Sequence, residues 1–322
     1  MTVFLDEATI AKLLTMEDAL AAVEEVFAEL GSGRVTNVPR MRVPLNDGIL
    51  RITAAVLNYR GYYGIKVSST SVFGRNAGRL FCLYREAGGE LCALMQVFGL
   101  GALRTGAASG IATRHMARKD ARVLGVLGSG RQARTQIEAI ASVRPIEEIR
   151  VFSRDRERCE NFCRDIEASH NVNVKAAATA EAAVRDCDIV VTATTSTAPV
   201  LLGDWLRPGT HVNAIGANYE HRRELDLKAV ERAAIVATDD LEQVRYESAD
   251  LAQAVTHGVL DWSNVASLGD IVVGRLPGRR SEQDITLFKS LGVAMEDVAL
   301  AIRAYDRAMK EGLGQALPNL AG

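Results

Sequence analysis

The sequence predicts an α/β fold in two parts: a doubly wound parallel sheet, preceded by a smaller α+β unit. Three observations carry this. Apolar runs between 122 and 240 alternate with helical segments, the pattern of a parallel sheet with right-handed crossovers. The first of these runs ends in a glycine turn, "GSGRQA", that opens a helix. Before residue 100 the pattern is different, with short apolar runs joined by turns and one clear helix ahead of them.

In chain order, Thr15 and Asp18 form a capping-box pattern, and Leu20, Val23, Phe27 and Leu30 repeat at helical spacing until Gly31. From about 40 to 100, "GILRITAAVL", "YYGIKVSST", "LFCLYRE" and "LCALMQVF" read as strands of a mostly antiparallel sheet, with a hairpin turn in "REAGGEL". "LRTGAASGIATRHMA" (103–117) is rich in small residues and reads as a helix packed closely on a neighbour. Six parallel strands follow: "RVLGVL", "IEEIRVF", "VKAAA", "DIVVTATT", "HVNAIGAN" and "AAIVATDD". Pro277-Gly278-Arg279-Arg280 reads as a surface turn, and "SLGVAMEDVALAIRAYDRAMKEGLG" as a long amphipathic helix that returns to the N-terminal domain. The expected division is 1–118 joined by the terminal helix 298–322, and 119–297.

The 322 residues suffice for two domains, and a net charge of −2 gives no electrostatic ground for a nucleic-acid or anionic-membrane partner. No apolar run approaches the roughly 20 residues of a membrane span. The N-terminus has acidic residues early and no basic segment, unlike a secretory signal, so a cytoplasmic protein is expected. Five cysteines without a CxxC pair read as reduced, inert thiols. Histidines are few and lack HxxxH or HExxH spacing, so no metal is expected.

Gly128-Ser129-Gly130-Arg131-Gln132-Ala133 fits GxGxxA between a strand and a helix. The first Gly allows the tight turn, the second admits a pyrophosphate to the backbone, and the small third residue lets the helix sit close to the sheet. This is the Rossmann fingerprint of a dinucleotide site. At the end of the second strand stand Ser153 and Arg154, which suit a 2′-phosphate; Asp155 falls late for a ribose contact and reads as a helix N-cap. NADPH is the preferred cofactor, with NADH possible and Arg154 and Arg156 as solvated charges the alternative.

The N-terminal domain sets single cations inside apolar strand runs: Arg40, Arg51, Lys66 and, in the following helix, Arg104. Four such cations suggest an anion-binding site, in which an arginine holds a carboxylate bidentately and a lysine can donate a proton. Arg75 and Arg79 in "VFGRNAGR" read either as a pocket extension or as a solvated basic loop.

Together, "LRTGAASGIATRHMARKDARVLGVLGSGRQA", "HVNAIGAN" followed by "RRELD", and "SLGVAMEDVA" resemble the ornithine cyclodeaminase/mu-crystallin family, in the right order across nearly the whole chain. The resemblance implies an N-terminal substrate-binding and dimerisation domain, a homodimer, and reactions at the Cα–N bond of amino acids or cyclic ketimines. It places Lys66 near the substrate carboxylate and reacting nitrogen, Arg104 on the carboxylate, and Arg40 and Arg51 as further cations, with Arg42 competing for the place of Arg40. Thr105 and the Gly128 loop are expected near the cofactor phosphates, Thr194 beside the cofactor, and Val293 near the nicotinamide. Cyclodeaminases carry Asp after the glycine of the fifth strand; this chain carries Asn218. An amide cannot take a proton at neutral pH, which favours an imino-acid substrate over an amino acid. The expected activity is NAD(P)H-dependent reduction of a C=N bond next to a carboxylate, with Lys66 or a water as proton donor and Asn218 bonding the nitrogen. Cyclodeaminase-type or alanine dehydrogenase-type deamination is the alternative, and a cofactor-binding protein with little catalysis the third reading. Glu224 and Asp226 read as solvated or as caps of the next helix.

Overall fold

The computed structural model describes residues 2–71, 79–170 and 172–318, so Arg75 lies outside the described residues. The chain separates into two compact units, one running to Arg104 and resuming at Gly292, the other Thr105–Leu291. The first division falls earlier than 118/119 because a helix, Phe98–Met116, runs through it. Its first turn is held in the N-terminal unit, where the Glu7 carboxylate accepts from the backbone N–H groups of Phe98 and Gly99. Beyond Thr105 it packs on the helix Arg131–Ala141, where a Cβ on Gly106 would stand 2.5 Å from the Thr135 carbonyl oxygen. The small residues of "RTGAASG" are what that approach demands.

The N-terminal unit holds a seven-stranded sheet in the order Gln315–Ala316, Val3–Leu5, Leu91–Gln96, Arg79–Arg85, Tyr62–Ser71, Gly48–Leu57, Val35–Leu45. Its pairs are antiparallel except Val3–Leu5 with Leu91–Gln96. The helix Met16–Gly31 begins at Thr15 with both bonds of the capping box formed. Residues of the sheet face that meets the helix Ala294–Glu311 are buried, among them Ala55, Leu57, Phe81, Leu83 and Met95. On the opposite face Met41, Ile52, Val67 and Leu80 form one row across four strands, with Met41, Val67 and Leu80 exposed. The terminal helix starts at Ala294 and stops at Glu311, not at 322, because Gly312 adopts a left-handed conformation at its end.

The second unit is an eight-stranded sheet, parallel throughout, in the order Val265–Ser267, Ala233–Thr238, Ile285–Lys289, His211–Ala214, Ile189–Thr192, Val123–Leu127, Glu148–Phe152, Asn173–Ala176. The six expected strands are present, and Ile285–Lys289 inserts between the fifth and sixth. Strand order reverses between Val123–Leu127 and Ile189–Thr192, and the carboxyl ends of those strands flank the crevice where such sheets bind ligands. The turn at 277–280 is not wholly a surface feature. Gly278 is buried against the His115 carbonyl, and the Arg279 guanidinium donates to the Met116 carbonyl at 2.9 Å. With Arg144, which donates to the carbonyls of Thr113, Arg114 and Ala117, it satisfies the end of the helix Phe98–Met116. Cys92, Cys159, Cys163 and Cys187 are buried and Cys82 half-buried; burial pushes the Cys163 and Cys187 thiols up to about 12, so they stay unreactive.

Candidate active site

In the second unit the glycine turn has the geometry that a bound pyrophosphate requires. Gly128 sits at φ +118°, and a Cβ there would stand 2.5 Å from the Ala193 carbonyl oxygen. Its N–H is fixed to the Phe152 carbonyl at 2.8 Å. At Gly130, the N-cap of Arg131–Ala141, a Cβ would meet only open space. The helix therefore offers unencumbered N–H groups to an anion. Ala133 is fully buried. Gly128, Ser129 and Gly130 line a cleft of about 800 Å³ together with Ser153, Arg154, Arg158, Thr194, Ser196 and Trp205. Arg131 lines the neighbouring hollow with Arg134 and Arg158, and Gln132 is half-buried behind it. This lining fits a dinucleotide, with backbone donors for the pyrophosphate and a serine and two arginines at the end of the second strand.

Asp155 caps the helix Arg156–His170, accepting the Arg158 N–H at 3.0 Å. Arg156 pairs with Glu160 at 2.8 Å. Arg158 lines the cleft in its stead, a residue that the sequence reading passed over although it stands in the first turn of the helix after the second strand. Thr105 is buried beside the helix Arg131–Ala141, its carbonyl accepting from Gln136 at 3.1 Å, and does not line that cleft.

Glu224 corrects the reading of it as solvated or capping. It is fully buried and accepts five hydrogen bonds: from the Thr192 and Thr194 hydroxyls at 2.9 and 2.7 Å, and from the backbone N–H groups of Thr194, Gly216 and Ala217 at 2.6, 2.6 and 3.2 Å. Its own N–H and that of Leu225 donate to Asp250, whose second oxygen accepts from the fully buried Lys289 at 3.0 Å. Glu224 thus ties the end of the fourth strand to the loop that carries Asn218, and it fixes Thr194 in the cleft wall. Asp226 does cap the next helix, Leu227–Glu231, through the Ala229 N–H. Asn218 is half-buried in the loop after His211–Ala214.

In the N-terminal unit the helix Ala294–Glu311 begins with Glu296 and Asp297, both buried. Asp297 accepts from the Lys66 ammonium through one oxygen and from Arg104 Nε at 3.0 Å through the other. Arg104, itself buried, donates from Nη1 to Glu296 at 2.8 Å. Gly292 stands at φ +70°, and a Cβ there would collide with the Arg104 guanidinium. Burial draws Lys66 down to about 8; Asp297 opposes the shift, while Arg104 and Arg40 add to it. Burial alone would raise the Asp297 carboxyl, but Arg104 and Lys66 hold it below its ordinary range. Sequence reading missed Glu296 and Asp297, although two acids inside the apolar run "VAMEDVALA" (Val293, Ala294, Met295, Val298, Ala299) signal burial.

Arg40 donates to the Gly292 carbonyl at 2.5 Å. It reaches there because the strand Val35–Leu45 carries a bulge: Val38 pairs with Ala54 and Met41 with Ile52, so Pro39 and Arg40 together oppose Thr53. The bulge inverts the alternation of side chains, which brings Arg40 and Arg42 to the face of Arg51 and Lys66. Arg40 and Arg42 both join that face. Val293 is the buried N-cap of the terminal helix and belongs to this unit.

A parallel sheet with a dinucleotide turn, in a chain that also holds a half-buried, ionisable lysine near arginines, defines a nicotinamide-dependent oxidoreductase. The chain belongs to the ornithine cyclodeaminase/mu-crystallin family, which residues 1–312 match. Among curated relatives it is 34% identical to an alanine dehydrogenase of Archaeoglobus fulgidus, with 98% of each chain covered. It is 31% identical to a Δ1-pyrroline-2-carboxylate reductase of Bacillus cereus, covering 95% of this chain and 96% of that one. The solved structure of Thermococcus litoralis Δ1-pyrroline-2-carboxylate reductase in complex with NADH and L-proline superimposes with a TM-score of 0.93 at 32% identity, covering 98% of this chain and all of that one.

Proposed function

We propose that this protein reduces a C=N bond next to a carboxylate at the expense of NADPH, with NADH as the lesser donor. The observation that carries the reading is Lys66, half-buried, bonded to the buried Asp297 that also holds Arg104, and drawn to about 8, where an ammonium can give up a proton near neutral pH. Arg104 and Arg51 or Arg40 hold the substrate carboxylate and fix the face it presents. When bound, the reduced nicotinamide supplies the hydride. Lys66, or a water it holds, supplies the proton to nitrogen, and Asn218 donates or accepts a hydrogen bond there without taking a proton. Gly128, Ser129, Gly130, Arg131 and Thr194 hold the dinucleotide, and Ser153 with Arg154 receives the 2′-phosphate.

Similarity to an alanine dehydrogenase over 98% of the chain supports a second reading, oxidative deamination of an amino acid by the same residues. NADPH oxidation assayed with preformed cyclic imino acids, and with 2-oxo acids plus ammonia or methylamine, separates the two. Turnover of imino acids with methylamine-derived or cyclic imines supports the reductase. Ammonia release from an amino acid, with those imines inert, overturns it.

The protein acts as a homodimer through the exposed sheet face of Met41, Ile52, Val67 and Leu80, since an apolar face of this extent is rarely left to water. Light scattering that returns a monomer mass would overturn this. The free cysteines suit the reducing cytoplasm.

A further inference from the structure

One hydroxyl on the sheet face that carries Lys66 is buried with no bond to satisfy it. Thr53 is 5% exposed, and no described group hydrogen-bonds its Oγ1. A hydroxyl withdrawn from water without a partner is costly, and folded proteins rarely keep one idle. Valine has the same branching and nearly the same shape, suits a strand as well, and would carry no such cost. Indeed the next residues on this face of the strand, Ala55 and Leu57, are buried apolar groups. Register fixes the direction of the Thr53 side chain. Thr53 stands directly opposite Lys66, Lys66 opposite Phe81, and Phe81 opposite Met95. Opposed residues of antiparallel strands share a face, with Cβ atoms about 4.5–5.5 Å apart. Phe81 and Met95 are buried and apolar, so the polar part of that row is Thr53 with Lys66, and the bulge at Pro39 and Arg40 flanks Thr53 on its other side.

We propose that Thr53 binds the substrate, its hydroxyl donating to the carboxylate next to the C=N bond beside Lys66. The inference rests on the reductase reading and adds a residue to its site. Asp297 takes one of the three N–H groups of the Lys66 ammonium, which leaves others for a ligand at the same place. The substrate presents two polar groups there. An imine nitrogen has a single lone pair, and in this reaction that pair takes the proton from the side of Lys66. A carboxylate has two oxygens with about four lone-pair sites, room for a hydroxyl as well as for an arginine. The hydroxyl is also neutral. It adds a bond to the anion without drawing Lys66 further down, as another cation would.

The test compares the wild-type protein with Thr53→Val and Thr53→Ser by two readouts. One is KM for the methylamine imine of pyruvate in NADPH oxidation. The other, which needs no turnover, is the calorimetric Kd of the NADPH-loaded protein for 2-methylbut-2-enoate, the same skeleton with C=C in place of C=N. Thr53→Val is expected to raise both by about tenfold or more, the worth of a hydrogen bond to a charged group, with KM for NADPH unchanged. Its melting temperature is expected to stay level or rise, because valine removes an unpaired buried hydroxyl. Thr53→Ser, which keeps the hydroxyl, is expected to stay near wild type in KM and Kd. Unchanged KM and Kd in Thr53→Val, or no binding of the carboxylate to wild type, overturns the inference and leaves the reductase reading standing. A raised KM with an unmoved Kd assigns the hydroxyl to the nitrogen and also overturns it. Imines that are inert in wild type, with Kd still raised in Thr53→Val, overturn the reductase reading and leave Thr53 as a carboxylate ligand.

Discussion

The Lys66 ammonium donates to the Asp297 carboxylate inside the N-terminal unit, and the same carboxylate holds Arg104 by its other oxygen. One acid therefore sets the position of both cations. Breaking such a buried pair by removing one partner costs roughly 3–5 kcal/mol, so Asp297→Asn is expected to lower the melting temperature as well as the rate.

The pH dependence follows from the charge that Lys66 must bear. A proton donor acts as the ammonium, and Lys66 lies at about 8. Reduction is expected to be independent of pH well below 8 and to fall above it by about tenfold per pH unit. Oxidation of the amine in the reverse direction needs the neutral lysine and rises with pH through the same value. Asp297 is the neighbour that favours the ammonium, so Asp297→Asn moves both limbs to lower pH. Profiles of kcat/KM for the two directions check this, and coincident limbs in wild type and variant would exclude Lys66 as the donor.

Much of this was legible in the chain, and the parts that were not share a cause. The doubly wound sheet showed in the alternation of apolar runs and helices, because strands buried on both faces are continuously apolar. The strand Ile285–Lys289 escaped notice since it is five residues long, follows "RRSEQD" and ends in a lysine. That lysine is buried because Asp250 meets it from a distant helix, a partner that no local pattern discloses. Glu224 misled in the same way. In "HRRELD" a glutamate reads as solvated, whereas the chain folds back so that Gly216, eight residues earlier, and Thr192 converge on it. The threonines at 192 and 194, polar residues ending an apolar strand, were the available sign of a buried polar partner. Lys66 and Arg104 were visible as cations in apolar runs, but the acids that tune them lie some 200 positions away in sequence.

Glu224→Gln is expected to loosen the cofactor cleft without touching the N-terminal unit. The carboxylate faces five donors, and an amide presents an NH2 group to some of them. Each buried donor left without an acceptor costs about 1–3 kcal/mol. The expected result is a lower melting temperature and a KM for NADPH raised about tenfold, with Thr194→Val giving a smaller shift in the same sense. A variant that melts early yet keeps the wild-type KM for the nucleotide would show Glu224 to be structural only.

Cofactor choice is expected to turn on Ser153, Arg154 and Arg158. The two arginines line the cleft from the end of the second strand and the first turn of the helix after it. Arg154→Ala with Arg158→Ala should raise KM for NADPH by about tenfold to a hundredfold, the worth of charge-assisted bonds to a phosphate, and leave KM for NADH nearly unchanged. Ser153→Asp should go further and reverse the preference, because an acid there accepts from the ribose 2′-OH and repels a phosphate. Steady-state kinetics with both nucleotides decide it, and equal losses for the two would remove the 2′-phosphate from this end of the cleft.

Asn218 is the position at which the direction of the chemistry is expected to change. The loop that carries it is pinned at Gly216 and Ala217 by Glu224, so an aspartate at 218 meets the same backbone frame with a group that can accept a proton. Amino-acid oxidation requires removal of a proton from the substrate ammonium; reduction of a ketimine does not. Asn218→Asp is therefore expected to raise kcat for amino-acid oxidation by about tenfold, within the range of a positioned general base, and to lower ketimine reduction at alkaline pH, where the added carboxylate stays charged beside the acceptor nitrogen. The ratio of oxidative to reductive kcat/KM, measured at one pH with the same nucleotide pair and with KM for NADPH as control, reads the effect. A ratio unmoved by the substitution would remove residue 218 from proton handling and leave Lys66 as the group that sets direction in this protein.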